Sequence, residues 1–76
     1  EFKLSVSELQ NRSDNVAVQL EKIALIVEEH NSSVVIAVRY DKDGRWIYKQ
    51  LNDATTTRVK ATFLRSTVPL VRVLYP

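Results

Sequence analysis

The chain contains no cysteine and no methionine, one glycine, two prolines and one histidine. Each shortage excludes something. Without cysteine there is no disulfide and no thiolate metal site, so packing alone must hold the fold. A small domain without such staples is expected in a reducing, intracellular compartment. Without methionine, Glu1 is not expected to be the residue at which synthesis began. Residues 1–76 are expected to be a single domain excised or processed from a larger protein. A single glycine excludes the glycine-rich loops that cradle phosphates. The lone histidine, His30, has no second imidazole or thiol to share a transition metal, and its expected role is that of a partly charged group near a helix C-terminus, where the dipole favours cations. No metal and no cofactor is expected. No apolar run is longer than the five residues found at 23–27 and again at 34–38, far below the roughly 18 residues that suggest a membrane span.

Catalytic constellations are also missing. None of the serines lies in a Gly-x-Ser-x-Gly setting, so no held nucleophile is in view. Glu28 and Glu29 are neighbours on a helix and point in different directions, which makes them a poor acid–base pair. Asp41 and Asp43 resemble the start of a calcium loop, but no closing glutamate follows at the required distance. The chain is expected not to be an enzyme. Asn11-Arg12-Ser13 and Asn31-Ser32-Ser33 match the N-glycosylation acceptor pattern, which is used only in a secretory setting.

The charge that is present is unevenly spread. Apolar residues make up 45% and charged residues 26% of the chain, a globular balance. The overall net charge is +2, yet no glutamate follows Glu29. Residues 1–32 hold Lys3, Arg12 and Lys22 against six acids, whereas residues 33–76 hold eight Lys and Arg against Asp41, Asp43 and Asp53. An acidic first part and a basic remainder point to a polyanionic partner.

Phe2 to Val6 alternates apolar and polar residues and predicts a short first strand; Ser7 with Gln10 matches a capping box, so a helix could instead begin there, but the polar cluster at residues 11–15 argues for a break first. From Asp14 to about His30 the pattern is helical, with an N-cap at Ser13 or Asp14. Val16, Leu20, Ile23, Ala24 and Val27 form its core stripe. Val34 to Tyr40 is rich in β-branched and aromatic residues, a strand signal. Asp41-Lys42-Asp43-Gly44 then reads as a turn, with Gly44 in the left-handed position of a bulged hairpin. Residues 45–51 form the return strand. In that register Val34, Ile36, Val38, Tyr40, Trp46 and Tyr48 line the buried face. Five threonines weigh against a helix over residues 53–67, and the alternation around Val59, Ala61 and Phe63 predicts a strand. Pro69 limits the start of a last strand, from Leu70 to Tyr75. The expected class is α+β: one helix on a four- to five-stranded, mostly antiparallel sheet in the order β-α-β-β-β-β. A ferredoxin-like β-α-β-β-α-β order is the alternative.

Two interfaces follow from this reading. The hairpin register places Arg39, Arg45, Lys49, Arg58 and Lys60 on one sheet face, with Arg72 able to join them. Such an array binds phosphates through charge and counterion release, and its arginines suit bidentate phosphate contacts. The expected function is a non-catalytic binding domain for a polyanion, foremost nucleic acid. With the aromatics in the core, the contact is expected to be electrostatic, without base stacking. Alternatively, Val18, Leu25 and Ile26 fall among the polar residues of the long helix and mark a protein-interaction or assembly surface.

Overall fold

The computed structural model of the chain describes residues 1–74. Its elements are β1 (Phe2–Lys3), α1 (Val6–Gln10), α2 (Asp14–His30), β2 (Ser33–Val38), α3 (Asp41–Asp53), β3 (Ala61–Arg65) and β4 (Leu70–Leu74). The class is α+β, with three helices and a four-stranded mixed sheet. Tyr75, expected in the last strand, lies outside the described residues.

The long helix follows its sequence pattern. Ser13 caps α2, its hydroxyl accepting from the Val16 N–H at 3.4 Å. The helix ends on Asn31, whose left-handed backbone (φ 51°) is a recognised stop for asparagine. Val16, Leu20, Ile23, Ala24 and Val27 are all buried. The first strand is shorter than its alternation suggested. It stops at Lys3, because Ser5 caps a one-turn helix, accepting from the Glu8 N–H at 3.5 Å.

The hairpin is not present. Residues 41–53 form a helix, so neither the expected β-α-β-β-β-β order nor the ferredoxin-like one describes the chain. Tyr40 is the extended N-cap of α3, and Asp41 and Asp43 occupy its first turn, where carboxylates oppose the helix dipole. The buried positions Asp43, Gly44, Ile47 and Leu51 recur at helical spacing. Gly44 has no positive φ, so its left-handed role disappears. It serves close packing instead. A Cβ there would stand 3.1 Å from Val38 Cγ2 and 3.3 Å from Phe63 Cδ1, so glycine lets α3 settle over the β2–β3 pair.

The strands lie in the order β1-β4-β2-β3. β4 pairs antiparallel with both β1 and β2, whereas β2 and β3 run parallel. A parallel pair requires a crossover, and α3 supplies it. Val34, Ile36, Val38, Val71 and Val73 join the core with Leu9, the α2 stripe, Ile47 and Leu51. The intervening residues Val35, Leu70, Arg72 and Leu74 stand outside that core. The helices therefore cover one face of the sheet and leave the other uncovered. No helix among the described residues is long and apolar enough to cross a membrane.

The segment between α3 and β3 is tied down by polar contacts. Tyr48 Oη donates to the Val59 carbonyl at 2.9 Å, and Asn52 Oδ1 accepts from the Val59 N–H at 2.7 Å. The Glu28 carboxylate accepts from the Thr56 N–H at 2.8 Å and from the Thr56 hydroxyl. Those two bonds, the hydroxyl's first, lower the Glu28 pKa. A lowered carboxyl pKa contributes stability above the unfolded-state value and loses it as the pH falls through the folded-state value. Glu28→Gln should therefore melt slightly below wild type at neutral pH, with the gap closing as the pH drops below the carboxylate range. Thermal melts from pH 7 to pH 3 check this; a gap independent of pH would contradict it.

Candidate nucleic-acid interface

Because β2 and β3 are parallel, their carboxyl ends arrive at the same end of the sheet, beside the first turn of α3. Arg39 and Tyr40 leave β2 here, Lys42 and Arg45 stand on α3, and Arg65 closes β3. Arg39, Tyr40, Arg65, Ser66 and Thr67 line a shallow open groove. A second cleft, of about 360 Å³, runs beside it between Arg45, Phe63 and Arg65.

The cations are not equally committed. Arg65 donates to the Arg39 carbonyl at 2.7 Å and to Asp41 Oδ1 at 3.2 Å. Arg39, Lys42 and Arg45 have no ion-pair partner among the described residues. Tyr40 is 43% exposed. The Arg39 guanidinium lies 5.5 Å from its ring centre and the Lys42 ammonium 5.9 Å. The site thus combines cations with an exposed aromatic ring.

Behind it, Arg12 fastens α1 to α3. Arg12 Nη1 meets Asp43 Oδ1 at 2.9 Å and also donates to the Leu9 carbonyl at 2.9 Å. The guanidinium sits 4.8 Å from the Trp46 ring centre. Asp43 is buried, its side chain only 6% exposed. Arg12 holds a left-handed backbone, φ 52°, which costs an ordinary residue about 1 kcal/mol relative to glycine. From this backbone position the Arg12 side chain reaches the buried carboxylate.

The five basic residues read from the sequence do not share a sheet face. Arg45 and Lys49 are exposed one turn apart on α3, because this segment is helical. Arg39 joins Arg45 at the carboxyl end of β2. Arg58 and Lys60 precede β3 and border a small separate pocket near Glu28. Lys60 and Arg65 are about 16 Å apart along the strand. Arg72 lies on the uncovered face and pairs with Glu1 at 2.7 Å, a contact that lowers the Glu1 pKa. Sequence reasoning missed Arg65 and Lys42, and it placed Tyr40 in the core. Trp46 and Tyr48 do pack against the core.

On α2, Val18 and Leu25 are exposed, Leu25 to 62%. They lie seven residues apart and so share one stripe. Ile26 instead packs against the core. Among the described residues, no three metal-ligating side chains gather. Compared with family models, with curated proteins and with solved structures, the chain matches none.

Proposed function

We propose that this domain is a non-catalytic nucleic-acid-binding module that grips a single strand at the carboxyl end of β2 and β3. The observation that carries the reading is Tyr40, exposed between Arg39 and Lys42. Single-strand binders combine a cationic groove for the backbone with aromatic rings on which bases stack. In this reading Arg39, Lys42, Arg45 and Lys49 neutralise phosphates, Tyr40 stacks a base, and Arg65 organises the loop through Asp41. Arg58 and Lys60 lie outside this footprint and contribute only long-range charge.

Fluorescence anisotropy with labelled single-stranded DNA, RNA and duplex tests the proposal over a range of salt. Affinity should fall steeply with salt, and each of Arg39→Ala, Lys42→Ala and Arg45→Ala should reduce the logarithmic slope by about 0.7. Tyr40→Ala should weaken binding by about 1–3 kcal/mol and leave the slope unchanged. Arg58→Ala should change little. Binding indifferent to salt, or no binding at low salt, would overturn the reading.

A second reading, a protein-interaction module, draws on the exposed Val18–Leu25 stripe of α2. It becomes the leading one if no nucleic acid binds at low salt.

A further inference from the structure

We infer that β3 is a homodimerisation edge: two copies pair β3 antiparallel about a two-fold axis at Phe63 and join their sheets into one. This does not rest on the nucleic-acid reading.

The free edge is identifiable from the backbone. The Val34 N–H donates to the Lys60 carbonyl at 2.9 Å and the Ser66 N–H to the Val38 carbonyl at 3.0 Å. Backbone groups alternate sides along a strand. Thr62 and Leu64 therefore face β2 as well, and Ala61, Phe63 and Arg65 turn their N–H and C=O groups outward. β3 ends the sheet on this side.

Proteins usually guard such edges with short strands, charges, prolines or bulges. The opposite edge is guarded: β1 has two residues, one of them Lys3. β3 has five residues and no proline. Phe63 is 50% exposed and Leu64 55%, on opposite faces of the strand. Its one charge, Arg65, is drawn toward Asp41 and the Arg39 carbonyl.

The edge fits a second copy of itself. With Phe63 opposite Phe63 of the other copy, Ala61 falls opposite Arg65. Every outward group of both strands then exchanges hydrogen bonds in close pairs. Moving the axis to Thr62 or Leu64 leaves Arg65 or Ala61 outside the ladder. The side chains agree with the central register. The Phe63 rings meet on the helix side, Leu64 faces Thr62 on the uncovered side, and no like charges are opposed. This symmetry is the reason to assign a second copy rather than an unrelated extended peptide.

Sedimentation equilibrium over a wide concentration range tests the inference, beside Phe63→Pro and Phe63→Val. The Phe63 N–H points away from β2, so proline there removes no hydrogen bond of the single copy. Wild type and Phe63→Val should dimerise, and Phe63→Pro should lose the dimer. Amide hydrogen exchange of the wild type gives a second readout that needs no variant. Ala61, Phe63 and Arg65 should gain protection as concentration rises. A wild type monomeric at every concentration overturns the inference. So does a dimer that survives Phe63→Pro, or one whose three outward amides stay unprotected.

Discussion

Arg12→Ala is expected to destabilise the domain by about 3 kcal/mol, because it leaves the buried Asp43 carboxylate without its cation. The figure is set at the lower end of the range for broken buried pairs, since Arg12 is itself 32% exposed. It is still a large share of the total: domains as a class are stable by only 5–15 kcal/mol. Urea denaturation should show a lowered midpoint with an unchanged slope. Arg12→Gly separates the two roles of the residue. Glycine loses the same ion pair but removes the left-handed strain, so its loss should be smaller by about 1 kcal/mol. A double-mutant cycle with Asp43→Asn should return a coupling of about 1–3 kcal/mol. A wild-type midpoint for Arg12→Ala would mean that Asp43 finds another partner.

Ile47→Ala should cost about 2–5 kcal/mol. Ile47 is fully buried where α3 meets the core, and alanine there leaves a cavity that the packed neighbours fill only in part. Leu51→Ala, one turn on and equally buried, belongs to the same class. Lys49→Ala, between them in sequence and exposed, should change stability by no more than about 0.5 kcal/mol. Chemical denaturation of the three variants is a direct test of the helix. In an extended segment Ile47, Lys49 and Leu51 would share one face, and their effects would not separate this way.

That contrast also shows where the sequence was legible. The period of α2 is sustained over 17 residues and opens on a serine cap, so its stripe, its start and its end could all be read. The strand character of residues 61–65 was legible too, from alternation and threonine content. α3 was not. Its first residues, Asp-Lys-Asp-Gly, suit a tight turn as well as a helix start, and Trp, Ile and Tyr favour strands. The deciding feature is the burial of Asp43 on the same stripe as Ile47 and Leu51. A carboxylate counts as surface in any hydrophobic pattern. It becomes a core residue only through Arg12, 31 positions away. A misread α3 also removes the crossover, and with it the parallel pairing of β2 and β3. Arg39 and Arg45 are neighbours in sequence whichever way the segment folds. Arg65 reaches them only through that pairing, which no local pattern announces.

The pairing of β1 with β4 has a mechanical consequence. Phe2 sits opposite Val71 and Lys3 opposite Leu70, so Glu1 lies beside the outgoing end of β4 and pairs with Arg72. Tension entering at Glu1 and leaving after Leu74 would pull these antiparallel strands apart from their open end. The load would fall on one hydrogen bond at a time instead of shearing the whole ladder at once. With only two residues in β1, resistance would be brief, and the domain would open first at this corner, lifting Leu4 away from the core while α2 and α3 stayed packed on β2.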